Sequence, residues 1–298
     1  MRQTLRYLVN YLGKFISYTF AICSLILLLV ILYGLFHKSG SIIRHHHLSD
    51  LLFSSDWKPA KNSFGFASFL YSTLLVTFIA SLISFPLCLL SAVYLTEYAS
   101  RRMLNSLSPL FDILAGIPSV IYGLWGVLII VPFIRDDVAP AFGYHSTGYS
   151  ILSAGLVLAV MIFPILLHLL LELLKTVPVP LKEAALSLGA TKWETIKYVV
   201  VLKSLPGILT SLVFGISRAL GETIAVMMVV GNVVGYPKNI FQSGYPLPAL
   251  IANNYGEMLS VPHYESALMF AAFVLLVVII IFNIGSSWLI RKFNYAQA

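Results

Sequence analysis

Charged residues are what this sequence has least of. Only 10% of its 298 residues are Asp, Glu, Lys or Arg, against roughly 25% in an average soluble domain. So few charges cannot cover a water-facing surface, and lipid is the expected solvent for much of the chain. Cysteine is almost absent. Cys23 and Cys88 lie in separate apolar runs, which speaks against a disulfide framework, and two thiols alone build no metal site. A Gly-x4-Gly-Lys-Ser/Thr loop is missing, so ATP has no phosphate cradle here. A nucleophile elbow, paired catalytic carboxylates and a His-Glu-x-x-His motif are missing too. These absences argue against an enzyme and leave no cofactor to expect.

What the sequence does contain is apolar: 59% of residues are hydrophobic, and the mean hydropathy is +0.90. A membrane span needs about 20 mostly apolar residues. Six segments qualify: Phe15–Phe36, Phe66–Leu95, Leu107–Ile134, Ile151–Leu174, Leu205–Gly231 and Ser266–Ile290. The expected fold class is therefore an all-α polytopic membrane protein. Met1–Lys14 is basic and precedes the first apolar run, as in a signal peptide. That run is too long for a signal h-region and no small-residue cleavage site follows, so it reads as a retained span. Pro86, Pro118 and Pro164 fall inside spans, where neighbouring helices tolerate a kink.

The net charge of +7 is spread between the apolar runs rather than gathered in one patch, so nucleic-acid binding is not expected. Sorted by alternate loops, twelve Lys and Arg residues fall on one side, among them Arg101, Arg102, Lys175, Lys182, Lys192 and Arg291. Six fall on the other: Lys38, Arg44, Lys58, Lys61, Arg135 and Lys238. The positive-inside rule then puts both termini in the cytoplasm. Arg218 alone lies within a span.

Two loops stand out. The segment Lys175–Ser204, on the cytoplasmic side, reads Val177-Pro-Val-Pro180 and then Leu181-Lys-Glu-Ala-Ala-Leu-Ser-Leu-Gly-Ala190. The prolines stop the fourth span, the residues after them form helix readily, and Gly189 can end the turn. This is either an ordinary amphipathic loop helix or a docking helix for a cytoplasmic partner. In the second reading Ala184 and Ala185 permit close approach and Glu183 anchors by a charge-assisted bond. The outer segment Asn232–Glu265 is rich in Gly, Pro, Asn and Tyr, which suits irregular structure near a binding surface.

Glu183-Ala-Ala-x3-Gly189 before the last two spans resembles the coupling loop of ABC importer permeases. Phe214-Gly-Ile-Ser-Arg-Ala-Leu-Gly-Glu-Thr-Ile-Ala-Val226 and Leu114-Ala-Gly-Ile-Pro-Ser-Val-Ile-Tyr-Gly-Leu-Trp-Gly126 are similar to the phosphate importer permeases. Tyr122-Gly-Leu-Trp-Gly126, Asp56-Trp-Lys-Pro59 and Tyr94-Leu-Thr-Glu-Tyr98 resemble most their C-type, PstC-like subunits. The likeness runs from about Asp56 to the C-terminus. The general Leu-Pro of such loops is displaced, from the Val201-Leu202 position to Leu205-Pro206.

The resemblance implies a type I ABC importer permease fold. Residues 1–55 hold the N-terminal tail, the first span and the start of the outer loop; residues 56–298 hold the transmembrane domain, with a coupling helix near 180–192. It implies a permease subunit of an ATP-driven phosphate importer, with ATP hydrolysis on a separate subunit. The expected partners are a PstA-like second permease, a PstB-like cytoplasmic ATPase dimer and a PstS-like extracytoplasmic phosphate-binding protein, with phosphate as substrate and lipid as surroundings. Other oxyanions (molybdate, sulfate, phosphonate) or an ion-driven secondary carrier are the alternatives, and a carrier working alone needs no docking helix.

The chemistry is expected at Arg218 and Glu222, four residues apart and so on one helix face. A charge inside a span is expensive and usually faces a bundle interior or a watery path. Two readings stand: a structural ion pair, or a guanidinium presented to a passing phosphate and held by Glu222 when none is present. Ser217 and Thr223 add hydroxyls. The ATPase-coupling set is Glu183, Ala184, Ala185 and Gly189. Asp112 reads as an interfacial cap, His168 as a packed histidine, Met227 and Met228 as packing, and Gly116, Gly123 and Gly126 as close-packing positions. His45-His46-His47 reads as a solvated loop, with no metal expected.

Overall fold

A computed structural model of the protein describes residues 2–256 and 263–295. Six of its helices are long and apolar enough to cross a membrane. The elements, in chain order, are α1 (Arg2–Lys38), α2 (Gly40–His45), α3 (Leu48–Phe53), the strands β1 (Trp57–Lys58) and β2 (Ser63–Phe64), and α4 (Ala67–Glu97). There follow α5 (Arg101–Gly116), α6 (Ser119–Ala141), α7 (Ile151–Lys175), α8 (Val179–Ser187) and α9 (Lys192–Leu220). The last are α10 (Ile224–Val229), α11 (Leu247–Asn254) and α12 (Tyr264–Tyr295).

The helix α7 is the axle. Ser150, in extended backbone, accepts a hydrogen bond from the Ser153 N–H at 3.1 Å and so caps its start; such a cap satisfies one of the otherwise orphaned first donors. From Ala154 to Leu167 α7 is apolar on every side, and Leu158, Ile162, Leu166 and Leu170 are fully buried. A helix apolar all round belongs inside a bundle. Small residues set the crossings, as they do where lipid gives helices no hydrophobic reason to associate. A Cβ on Gly155 would lie 2.5 Å from Ile79 of α4. Gly215 and Gly207 of α9 face Leu166 and Leu173 with the same lack of room, so α9 runs antiparallel to α7.

The end of the bundle at which α4 starts is closed by an aromatic layer. The β1–β2 hairpin pairs Trp57 with Phe64, and the Trp57 ring packs at 5.1–5.9 Å centroid distance on Phe64, Phe66, Phe69 and Tyr264. Of the Asp56-Trp-Lys-Pro59 motif, Trp57 joins this layer, while the Asp56 and Lys58 side chains are exposed and pair with each other.

Two expected spans are redrawn. The third runs Ser119–Ala141 rather than Leu107–Ile134. Ser100 caps a separate helix, α5, which has no buried residue and ends at Gly116. Pro118, lacking an N–H, then occupies the cap position of α6. The Tyr122 hydroxyl donates to the Leu114 carbonyl across this break at 2.8 Å. The fifth span runs Lys192–Leu220 rather than Leu205–Gly231. Its start is a capping box: Thr191 accepts from the Glu194 N–H while the Glu194 carboxylate accepts from the Thr191 N–H. Its end is Gly221, after which α10 begins afresh. The connection expected over Lys175–Ser204 is correspondingly shorter.

The segment after Asn232 is irregular only as far as Pro246; the helix α11 (Leu247–Asn254) then interrupts the expected irregular loop, and residues 244–250 are buried among the helices. Its N–H groups find partners there: Tyr245 donates to Ser72 Oγ at 3.3 Å and Leu247 to Thr73 Oγ1 at 2.9 Å. The remainder of that expected loop includes 257–262, outside the described residues.

Candidate functional site

The helix α8 carries the first group of candidates. Pro178 takes its cap position and Pro180 sits in its first turn, where the missing N–H costs nothing. No residue of α8 is buried, and Leu186 and Leu188 are 49% and 89% exposed. An exposed apolar tip on a short helix is a surface that a partner can cover. The helix ends in a two-bond motif in which the Ala190 N–H reaches the Ala185 carbonyl at 3.2 Å and the Gly189 N–H reaches Leu186 at 3.0 Å. This Schellman pattern requires a left-handed residue, and Gly189 has φ +88°. The reason for glycine is therefore backbone conformation, since nothing lies within 4 Å of a Cβ placed there. Thr191 opens α9 two residues later, so the helix–turn–helix has no slack. Glu183, Ala184, Ala185 and Gly189 do come together on this one element.

Two contacts fix α8 and the start of α9 to the bundle. Lys182 Nζ donates to Glu97 Oε1 at 2.5 Å, and Lys192 Nζ lies 4.4 Å over the Tyr98 ring. Both partners belong to the Tyr94-Leu-Thr-Glu-Tyr98 motif at the end of α4. Glu97 and Lys182 are functional candidates that the sequence reading missed, because nothing in spacing alone pairs residues 85 apart.

The second group, around Arg218, is arranged differently from the sequence expectation. Arg218 is in the last turn of α9, not half-way along a helix. The helix stops between it and Glu222: the Arg218 and Ala219 carbonyls accept from Gly221 and Glu222 N–H groups at 3.3 Å. The two side chains therefore do not share a helix face, and among the described residues no ion pair joins Arg218 to Glu222. Arg218 is exposed on the surface of the chain. Glu222 instead faces the start of α10, its carboxylate accepting from the Ala225 N–H at 3.5 Å. Thr223 donates to the Gly221 carbonyl at 3.3 Å. Ser217 donates to the Val213 carbonyl and, at 3.0 Å, to Asn283 Oδ1 of α12. Asn283 is a further residue the sequence reading passed over; a lone amide in an apolar span was the available signal.

The break at Gly221 is held by close packing. A Cβ on Gly123 of α6 would meet Met228 of α10, and one on Gly126 would lie 2.5 Å from Val157 of α7. Gly123, Gly126 and Met228 are thus packing positions as expected, while Gly116 has open space around it. Wide, π-type turns follow at Gly126–Ile130 and Ile134–Val138 in α6 and at Ile196–Val201 in α9, a form that often marks functional helices.

The remaining candidates disperse. Asp112 of α5 lies 3.6 Å from His168 of α7, beyond hydrogen-bond range. His45 reaches the Ser41 carbonyl at 2.8 Å, and its ring lies 4.5 Å from that of His263, tilted by 42°.

Residues 84–295 match the family described as binding-protein-dependent transport system inner membrane component. A phosphate transport system permease protein PstC of Xylella fastidiosa is 37% identical over 240 residues, 76% of this chain and 74% of that protein. A probable phosphate transport system permease protein PstC of Methanocaldococcus jannaschii is 33% identical over 290 residues, 92% and 91% of the two chains. Among solved structures, a bacterial ABC transporter involved in import of the acidic polysaccharide alginate superimposes with a TM-score of 0.59. That match covers 96% of this chain and 99% of that one at 16% identity, a likeness of fold.

Proposed function

Because the chain belongs to the binding-protein-dependent transport system inner membrane components, we propose that it is the PstC-like permease subunit of an ATP-driven phosphate importer. The observation that carries this reading is its likeness, over nearly its whole length, to a phosphate transport permease. The chain is a multi-pass, non-catalytic membrane subunit, and hydrolysis of ATP is on another subunit. A PstA-like permease completes the path, and a PstB-like ATPase dimer docks on Glu183, Ala184, Ala185 and Gly189. A PstS-like binding protein delivers phosphate at the outer face. Both termini lie in the cytoplasm, in keeping with the Lys and Arg bias, and 56–298 form the transmembrane domain.

At the path, Arg218 is the residue suited to an oxyanion. Near neutral pH phosphate carries between one and two negative charges, and a route through lipid must replace its hydration. A guanidinium offers forked donors and a charge that does not deprotonate. With no carboxylate pairing it among the described residues, Arg218 is available to the anion. Thr223 carries a hydroxyl in the turn that follows, Ser217 holds α9 to α12, and Glu222 shapes the turn into α10.

Uptake of labelled phosphate tests the reading, in cells lacking other phosphate carriers and supplied with the chain, the second permease, the ATPase and the binding protein. Uptake is expected only with all four, undiminished by excess sulfate or molybdate. Uptake by this chain without the ATPase would sink the importer assignment, and displacement by sulfate or molybdate would sink the substrate.

A further inference from the structure

The docking helix is tied to the bundle on both sides of the Gly189 turn, and both ties lead to the same place. Lys182, in α8, binds Glu97; Lys192, the first residue of α9, covers the Tyr98 ring. The side chains of Lys182 and Glu97 are 22% and 10% exposed. In every other ion pair of the described residues, each side chain is at least 42% exposed. Exposed pairs do little, whereas a shielded pair in fixed register is costly to break by removing one partner. Glu97 is the last residue of α4. Near the other end of that helix, the Ser72 and Thr73 hydroxyls hold the buried outer segment through the Tyr245 and Leu247 N–H groups. With 31 residues, α4 is about 46 Å long. One helix thus grips the docking element at one end and the outer segment at the other.

We propose that Glu97, assisted by Tyr98, is a positioning residue that delivers movement of the docking helix to α4, and through α4 to the outer segment at residues 244–250. This rests on the reading of α8 as the ATPase-docking helix. Glu97 touches no substrate. Its carboxylate keeps Lys182, and with it α8, in fixed register with the rod, so that a stroke applied at α8 moves α4 instead of bending the connection at Val177.

Two arms test this. In the first, a spin label on Ser187→Cys reports the mobility of α8 in membranes, without nucleotide or phosphate. Glu97→Gln is expected to sharpen the spectrum, and the charge swap Glu97→Lys with Lys182→Glu to broaden it again. A spectrum that Glu97→Gln leaves unchanged overturns the tie. In the second arm, the complete transporter is reconstituted in liposomes with phosphate-loaded binding protein. Glu97→Gln is expected to keep its ATPase subunits and basal hydrolysis while phosphate moved per ATP falls about tenfold, within the range of coupling between sites. An unchanged ratio overturns the proposal. If Glu97→Gln does not assemble, the swap decides: a recovered ratio supports the proposal, and a swap that assembles without coupling, or does not assemble, overturns it. A wild-type complex that hydrolyses ATP but moves no phosphate would refute the substrate reading alone, leaving the spectroscopic arm to judge Glu97.

Discussion

Arg218 shows how one residue's meaning depends on where its helix ends. Had α9 run on past Gly221, Glu222 would lie one turn above Arg218 and neutralise it. The chain instead breaks, Glu222 turns to the Ala225 N–H, and the guanidinium is left exposed. A guanidinium in the last turn of a span, with no carboxylate paired to it among the described residues, is open to a ligand. Arg218→Gln is expected to abolish phosphate uptake with the complex still assembled, and Arg218→Lys to keep only part of it, since lysine retains charge but not the fork. The double change Arg218→Gln with Glu222→Gln separates this from a structural pair. A neutralised pair would regain function; the broken-helix geometry predicts that the double variant stays as inactive as Arg218→Gln. Labelled-phosphate uptake, with ATPase co-purification as the assembly check, reads the outcome. The residue types of this site were legible in the sequence, but their pairing was not. A four-residue spacing implies a shared face only in continuous helix, and glycine alone does not announce where a helix stops.

At the scale of elements, two glycines separate conformation from packing. Gly189 has open space but a φ of +88°, which costs an L-residue roughly 1–2 kcal/mol. Gly189→Val is therefore expected to loosen the turn between α8 and α9, leaving membrane insertion normal while ATPase association and transport are lost. Gly189→Asn, which tolerates the left-handed region better, retains more of both; equal loss in the two variants would point to side-chain size instead. Gly126 is the converse, with no left-handed backbone but Val157 and Val229 in the way of a Cβ. Overpacking of that kind costs about 1–3 kcal/mol, so Gly126→Leu is expected to lower the thermal midpoint of the purified chain, and Gly116→Leu, with nothing within 4 Å, to leave it unchanged. The existence of the spans was readable from composition because hydropathy over about 20 residues is a strong signal. Two boundaries were not, because α5 and the first turns of α9 are set by local devices. Ser100, Pro118 and the Thr191–Glu194 capping box start helices where hydropathy shows no edge. The helix α8 was legible because its prolines, alanines and glycine are each local signals, while its attachment through Glu97 is long-range and left none.

For the whole molecule the strongest constraint is alternation. Six spans return the chain to the side it started from, and the ion pairs are consistent with that. Lys38 at the end of α1 meets Glu265 at the start of α12 at 3.1 Å, so those two helix ends share one side. Lys182 between α7 and α9 meets Glu97 at the end of α4, so those ends share the other. The second side also holds Arg101, Arg102, Lys175 and Lys192, the first Lys58, Lys61 and Lys238. Since an excess of Lys and Arg marks the cytoplasmic loops, the Glu97 side should face the cytoplasm, where an ATPase can reach α8. Reporter fusions after Lys61 and after Lys238 are expected to signal outside, and fusions after Arg102 and after Ala190 inside. The fusion after Lys238 is the discriminating one. It lies beyond the break at Gly221, between the fifth and sixth spans, and before the buried stretch that begins at Gly244, so an insertion there leaves the Ser72 and Thr73 hydrogen bonds intact. A cytoplasmic signal at that point would mean that α9 does not cross the membrane. It would place Arg218 on no path at all, and the oxyanion assignment of that residue would fall with the topology.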